Sequence, residues 1–298
     1  SQIDKHKWDW CIRNSVNGSV YAWSWYLDAV CLGWDALVSS DYKFVMPLTG
    51  RNKFGISYLF RPLLNQQLGV FSQEIPDKVT VEKFLKAIPN KYRLIEINLN
   101  KYNSFELPEL NKELHSCYEL DLISDYEKIQ KGYNQNTKRS IKKAKQFGLI
   151  EDPNVSAKEF FELMLRDNSK GSKILRAPRN MIYLSNLLES LKQHESGRIT
   201  GIRNGKDKLI TACLFAKSHL KWFYLAPINS EEGKDKRALF LLIDSLIQES
   251  TNQSLTLDFE GSDIPGVARF YAGFGAQPYS YPSIRRNTLP WPIKYLKG

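Results

Sequence analysis

The chain has 298 residues, of which 42% are hydrophobic and 25% are charged, and its net charge is +10. This length fits two domains of about 150 residues each, and the composition is that of a soluble globular protein. No run of 18 apolar residues occurs, and the first residues lack the apolar core of a secretory signal, so the sequence predicts a cytoplasmic protein without a transmembrane helix.

The first half of the chain has the pattern of helices that flank a set of short strands. Residues 4–14 fit a short helix with Asp4 as N-cap and with Trp8 and Ile12 on the inner face. Strand-like apolar segments follow up to residue 73, and we predict that a turn at 50–52 separates two of them. A helix over 81–88 and a strand over 93–99 then complete the pattern. It predicts an α/β layer fold with a mixed sheet.

Residues 133–148 form the most basic segment. As a helix, the segment has Tyr133, Thr137, Ile141 and Ala144 on one stripe and lysines or arginine on the remaining surface. One reading is a solvated helix that joins two domains. The other is a rim that binds phosphate through Arg139 and Lys142, because one side of the helix carries several cations within about two turns.

The second half shows stronger local signals. Ser156 and Glu159 have the spacing of a capping box, and Asn204-Gly205 predicts a hairpin turn between two strands. We expect a loop over 168–179. The helix over 237–250 is apolar almost all round, so it should be sandwiched inside the protein.

The chain closes with a strand, a loop and a helix. Alternation over 255–260 places Asp258 and Glu260 on one strand face. Val267, Phe270, Tyr271 and Phe274 then share one helical stripe, and the glycines at 273 and 275 end the helix. This arrangement brings carboxylates to the end of a strand and a phenol to the following helix.

The motifs Phe-Glu-Gly-Ser (259–262) and Gly-Val-x-x-Phe-x-x-Gly-Phe-Gly (266–275) resemble the closing motif of the Fem-type peptidoglycan aminoacyltransferases. These enzymes carry two folds of the GNAT superfamily of N-acetyltransferases in tandem. The basic segment 133–148 is similar to the helix that begins their second repeat. The resemblance implies an α/β (α+β) fold of two tandem GNAT-like domains, with mixed, mostly antiparallel sheets flanked by helices. We place the domains at 1–132 and 133–284, with a tail, 285–298, that returns to the first.

The resemblance also implies site residues. Tyr271 stands where GNAT enzymes have the acid that protonates the departing thiolate, and where Fem-type enzymes usually have lysine. Glu260, or else Asp258, would be the base. The loop 229–238 corresponds to the cradle for the pyrophosphate of acyl-CoA, and its predicted donor-binding residues are Gly233, Lys234, Lys236, Arg237 and Ala238. In the first domain, Arg61 and Tyr58 are candidates for binding substrate.

Three functions remain open at this point. The first is transfer of an acyl group from a thioester, acyl-CoA or an acyl carrier protein, to the amine of a small or nucleotide-linked substrate. The second is Fem-type transfer from charged tRNA to a cell-wall precursor, which the positive charge favours. The third is a binding protein that keeps the fold without catalysis. Four scattered cysteines and four histidines without ligand spacing predict no metal site.

Overall fold

The computed structural model describes residues 3–261, 263–291 and 294, so Ser262 of the closing motif lies outside the described residues. The α-helices are α1 (Lys5–Asn14), α2 (Ser24–Val30), α3 (Lys78–Lys86), α4 (Tyr126–Lys131), α5 (Gln135–Gln146), α6 (Ala157–Arg166), α7 (Lys170–Leu175), α8 (Pro178–Gln193), α9 (Glu231–Asp235), α10 (Ala238–Ser250) and α11 (Pro265–Ala272). A short 3-10 helix covers Val20–Ala22.

The strands are β1 (Asp35–Val38), β2 (Phe44–Leu48), β3 (Gly50–Lys53), β4 (Ile56–Leu59), β5 (Phe71–Ser72), β6 (Tyr92–Asn98), β7 (Asn111–Asp121), β8 (Ile150–Asp152), β9 (Gly197–Arg203), β10 (Leu209–Ser218), β11 (Lys221–Asn229), β12 (Thr256–Gly261) and β13 (Gln277–Asn287). Among the residues that the structure describes, no helix combines the length and the apolar character needed to cross a bilayer.

The chain forms two compact units. Unit 1 comprises Ser1–Ser116 with Ser280–Gly298, and unit 2 comprises Cys117–Tyr279. Unit 2 therefore begins earlier in the chain than the predicted domain that starts at 133. Its first residues belong there because Leu120, Leu122 and Ile129 are buried in the same hydrophobic cluster as Ile243 of α10.

Unit 1 contains two sheets. One is the antiparallel sheet β1-β2-β5, and the other has the order β3-β4-β6-β13, in which β4 and β6 are parallel. The predicted turn at 50–52 is wrong. Gly50–Lys53 pairs with β4 as a strand, and the chain reverses one step later at Phe54 and Gly55, where both φ angles are positive.

The end of the chain supplies part of unit 1. Of the predicted tail 285–298, residues 285–291 and 294 are described, and the others lie outside the described residues. Arg285 and Arg286 pair with Glu96 and Ile95 of β6. The backbone N–H and the hydroxyl of Thr288 both donate to the carbonyl of Arg93, at 2.8 and 2.9 Å.

Unit 2 is a single sheet of order β7-β12-β11-β10-β9-β8 with helices packed against it. Most neighbouring strands are antiparallel, whereas β11 and β12 are parallel. Helix α10 packs against β9, β10 and α5, and Leu242, Ile243 and Ile247 are almost completely buried there. The predicted sandwiched helix is thus confirmed, and so is the mixed α/β fold class with sheets flanked by helices.

The first turn of α6 is fixed by the predicted capping box. The Ser156 hydroxyl accepts from the N–H of Glu159, and the Glu159 carboxylate accepts from the N–H of Ser156, both at 3.3 Å. Arg203 also binds this carboxylate at 2.6 Å. The hydroxyl and then the guanidinium lower the pKa of Glu159 to about 2, because both stabilise the ionised form.

We expect Ser156→Ala to lower the free energy of unfolding by about 1 kcal/mol, since an N-cap hydroxyl is lost. Urea unfolding measures the change. Ser185→Ala, an exposed position within α8, is the matched control and should leave the midpoint unchanged or slightly raised. Equal midpoints for the two variants would contradict a capping role for Ser156.

Candidate active site in unit 2

The two parallel strands of unit 2 separate partway along their length. Pairing joins Lys221–Phe223 of β11 to Thr256–Asp258 of β12, but β11 itself continues to Asn229. The ring of Tyr271, from α11, stands at the point of separation. Its centroid lies 6.0 Å from that of Tyr224 on β11 and 4.9 Å from that of Phe259 on β12. The sheet therefore opens where a side chain of the following helix can enter.

A bulge in β12 accompanies the separation. Asp258 is opposite Glu119 of β7, and Gly261 is opposite Cys117, so three steps along β12 match two steps along β7. Glu260 takes a left-handed φ of 62° within this bulge. An extra residue of this kind twists a strand and redirects its side chains. Left-handed conformation is unusual for a residue with a side chain and is found preferentially at functional positions.

Tyr271 is 8% exposed, and none of the described residues forms a hydrogen bond with its hydroxyl. Burial raises the pKa of Tyr271 well above the ordinary tyrosine value, and the nearby charge of Glu260 adds to this rise. Both effects penalise the phenolate. The hydroxyl therefore keeps its proton across the physiological range and is able to donate it to an anion that develops beside it.

Asp258 is the buried carboxylate of the site. Its Oδ1 accepts from the N–H of Glu260 at 2.8 Å and from the thiol of Cys117 at 3.4 Å, and its Oδ2 accepts from the hydroxyl of Tyr279 at 3.2 Å. Burial raises the pKa of Asp258, while the positive charge of Lys221 opposes that rise. With both oxygens occupied, Asp258 is suited to holding the bulge in place, and Glu260 is the better candidate for a base.

The structure thus brings the three predicted catalytic residues, Tyr271, Glu260 and Asp258, into one cluster. The sequence analysis missed four members of this cluster: Cys117, Glu119, Lys221 and Tyr279. Lys221 forms an ion pair with Glu119 beside Asp258. The one available signal was the alternation of Cys117 and Glu119 in β7, which puts them on the same strand face.

The loop 229–238 contains helix α9, and several of its backbone N–H groups donate hydrogen bonds to acceptors in the same loop. The N–H of Gly233 donates to the Ser230 hydroxyl, and those of Lys234, Lys236 and Arg237 donate to Ser230, Glu232 and Lys234 carbonyls. Lys234 and Lys236 pair with Glu231 and Glu232, and Ala238 is fully buried. A pyrophosphate cradle needs free N–H groups at such positions. Binding of acyl-CoA by this loop therefore stays a prediction without support from these amides.

Gly233 has a packing role in this loop. A Cβ on Gly233 would lie 2.6 Å from the carbonyl oxygen of Ile210 and 2.6 Å from Oγ1 of Thr211. We expect Gly233→Ala to lower the free energy of unfolding by about 2 kcal/mol through overpacking. Gly266→Ala is the control, because a Cβ there meets open space. Denaturant unfolding of both variants tests this, and equal stabilities would contradict the packing role.

The other predicted binding residues lie elsewhere. Lys142 lines a groove beside α5, whereas Arg139 on the same helix is exposed and does not line it. Tyr58, on β4, and the exposed Arg61 belong to unit 1. The structure therefore does not place these four residues in the cluster around Tyr271.

Neither a protein-family model nor a curated protein sequence matches this chain. Solved structures do resemble it. FemX superposes with a TM-score of 0.70 at 13% identity, over 100% of this chain and 99% of FemX. L-PGS from Bacillus licheniformis gives 0.56 at 9% identity, over 99% of this chain and 96% of that one. A C-terminal domain (DUF2156) assigned to a lysylphosphatidylglycerol synthetase of Agrobacterium fabrum gives 0.53 at 11% identity, over 95% and 92%.

At these identities the likeness concerns the fold. It extends over both units and over nearly the full length of each of the three solved chains. The chain therefore shares the fold of FemX over both units, in agreement with the resemblance of its closing motif and its basic helix.

Proposed function

We propose that this chain transfers an aminoacyl group from the 3′ end of a charged tRNA to an amine acceptor. The observation that carries the proposal is the opening between β11 and β12, where the ring of Tyr271 lies against Tyr224 and Phe259 and the charge of Glu260 helps to raise the pKa of the Tyr271 hydroxyl. An ester donor needs an acid for its leaving oxygen and a base for the attacking amine, and Tyr271 and Glu260 supply both.

In the proposed reaction, Glu260 and Tyr271 carry out the two proton transfers. The acceptor amine attacks the ester carbonyl, and its proton passes to Glu260. The tetrahedral intermediate then breaks the bond between the carbonyl carbon and the ribose oxygen, and Tyr271 donates its proton to that oxygen. The products are an amide and a tRNA with a free hydroxyl. Because the phenolate of Tyr271 is disfavoured by burial, it regains a proton from Glu260 or solvent before the next cycle.

Two features favour tRNA over a thioester as the donor. The amides of Gly233, Lys234, Lys236 and Arg237, four of the predicted donor-binding residues, are engaged within the loop, which weakens the case for a pyrophosphate cradle formed by them. Helix α5 carries five cationic residues and no acidic residue, which suits a polyanion. The similarity in fold to FemX over both units agrees with this choice.

The test offers both donors in parallel. Total tRNA charged with radioactive amino acids is mixed with the protein and either hydroxylamine or nucleotide-linked cell-wall precursors that bear a free amine, and labelled amide is separated by chromatography. A second set contains acyl-CoA, with release of free thiol as the readout. We expect acceptor-dependent transfer from tRNA that is lost in Tyr271→Phe and Glu260→Gln.

Thiol release from acyl-CoA without transfer from tRNA would overturn the proposal in favour of a thioester donor. Retention of tRNA without transfer to any acceptor would favour a binding protein with this fold instead.

A further inference from the structure

A small cavity lies in unit 2 between helix α10 and the sheet edge formed by β8 and β9. Its volume is about 110 Å³, and it is open to solvent on one side. Ile202 of β9 and Leu242 and Leu246 of α10, all almost completely buried, supply its apolar wall. We call it the α10 cavity. None of the residues that line it belongs to the cluster around Tyr271, so it is a separate site.

Two donor groups in the lining are buried without an acceptor. The hydroxyl of Thr200 and the Nε–H of Arg198 are shielded from solvent, and neither forms a hydrogen bond with any residue that the structure describes. Thr200 and Arg198 are two positions apart on β9, so their side chains share the sheet face that α10 covers. A buried donor without a partner costs about 1–3 kcal/mol. Two such donors in one cavity therefore indicate a ligand that accepts hydrogen bonds.

The charges around the cavity disfavour a simple anion as that ligand. Three carboxylates line it, those of Glu151, Asp152 and Glu249, against the single guanidinium of Arg198. Asp152 is neutralised by Arg203, at 2.7 Å between Oδ2 and Nη2, and Glu249 is neutralised by Arg198. Glu151 is exposed and makes no ion pair within the described part of the chain. The lining therefore keeps one uncompensated negative charge, which repels an anion and attracts an ammonium group.

An α-amino acid combines the required features in one small molecule. Its carboxylate offers acceptors to Thr200 and Arg198, its ammonium group pairs with Glu151, and a short apolar side chain packs against the wall formed by α10. Since a cavity of about 150 Å³ admits benzene, a cavity of about 110 Å³ admits a molecule no larger than about alanine. The size thus limits the ligand to the smallest amino acids.

We propose that the α10 cavity binds a small free α-amino acid, with the carboxylate held by Thr200 and Arg198 and the ammonium group beside Glu151. The inference does not depend on the proposed function, because no residue of the proposed reaction takes part in this site.

The experiment is a ligand-observed NMR titration of the full-length protein at neutral pH. The amino acids are glycine, L-alanine and L-serine. Propionate and ethylamine, which resemble alanine in size, each lack one of its two charged groups.

The variants test the two ends of the ligand separately. Thr200→Val removes the hydroxyl and keeps the shape of the side chain, whereas Thr200→Ser keeps the hydroxyl. Glu151→Gln removes the unpaired charge, and its matched control is Glu127→Gln, the same change at an exposed position of α4 outside the cavity.

We expect at least one of the three amino acids to bind, and propionate and ethylamine to bind at least about tenfold more weakly, since each lacks a charged hydrogen-bonding group. Thr200→Val should weaken binding about three- to tenfold, and Thr200→Ser should stay within about twofold of the parent protein. Glu151→Gln should weaken binding about threefold, because an exposed ion pair is worth little. Glu127→Gln should leave binding unchanged.

Thermal unfolding without ligand separates binding from a structural role of the Thr200 hydroxyl. Thr200→Val should unfold at the same temperature as the parent protein or at a higher one, because an unsatisfied hydroxyl is replaced by a methyl group in a strand. A lower unfolding temperature would mean that the hydroxyl has a partner inside the protein, and it would overturn the inference.

Three binding results would also overturn it. The first is the absence of saturable binding by all three amino acids at millimolar concentrations. The second is unchanged binding by Thr200→Val. The third is binding of propionate or ethylamine as tightly as the amino acid, because one charged group would then be sufficient and the ligand would not be recognised as an amino acid.

Discussion

Tyr271→Phe is expected to slow aminoacyl transfer by about 10²- to 10⁴-fold, the usual contribution of a general acid. The variant keeps the ring that stacks on Phe259 and contacts Tyr224. It removes only a hydroxyl that has no hydrogen-bond partner within the described residues. We therefore expect the free energy of unfolding to change by less than about 1 kcal/mol, so that the loss of rate cannot be ascribed to misfolding.

Single-turnover transfer from a charged tRNA measures this effect, because it isolates the chemical step from product release. Tyr102→Phe, the same chemical change in unit 1, is the control and should retain the full rate. The alkaline limb of the pH–rate profile should lie above the ordinary tyrosine range, since burial raises the pKa of Tyr271. A fully active Tyr271→Phe would leave Tyr271 as a packing residue and would remove the acid from the mechanism.

Short-range sequence patterns predicted several structural features of unit 2. Ser156 and Glu159 form the capping box that their spacing indicates, and β9 and β10 pair antiparallel around Asn204-Gly205. The apolar surface of α10 predicted its burial. Each of these features depends on residues that are close in sequence, where propensity and capping act directly.

The same reasoning failed where a distant partner decides the structure. Gly50 suggested a turn, but pairing with β4 makes Gly50–Lys53 a strand and moves the reversal to Phe54 and Gly55. The loops predicted over 168–179 and 229–238 contain α7 and α9, each capped by a serine, Ser169 and Ser230. Their glycine and lysine content resembled that of a loop, while the serine caps were sufficient to start short helices.

The sequence predicted only part of the candidate site. Tyr271, Glu260 and Asp258 lie within one short segment, so their proximity followed from one strand and one helix. Cys117 and Glu119 reach Asp258 only through the register of β7 against β12, and Tyr279 reaches it from β13. The register between strands that are far apart in sequence is set by the packing of a whole sheet face against the core. A local sequence pattern therefore does not predict it.

Asp258 holds this long-range register through hydrogen bonds from β12, β7 and β13, so its replacement should lower stability. We expect Asp258→Ala to lower the free energy of unfolding by about 3 kcal/mol at neutral pH. The N–H of Glu260 and the hydroxyl of Tyr279 would lose their acceptor inside the protein, and each buried unsatisfied donor costs about 1–3 kcal/mol. Asp258→Asn keeps one acceptor oxygen of nearly the same shape and should lose less. Urea unfolding at neutral pH compares the three proteins.

The contribution of Asp258 to the free energy of unfolding should fall as the pH rises, whereas the contribution of a carboxylate in an ordinary ion pair rises with pH. Burial raises the pKa of Asp258 in the folded state, so the folded protein holds this proton to higher pH than the unfolded chain does. The contribution of this titration to stability is therefore full below about pH 4, the usual aspartate value, and is lost as the pH rises through the folded-state pKa. The amide introduced by Asp258→Asn does not titrate, so the stability of the parent protein relative to this variant should be highest in acid and decline towards neutral pH. A relative stability that instead rises with pH would mean that Lys221 outweighs burial and that Asp258 is held as a stable anion.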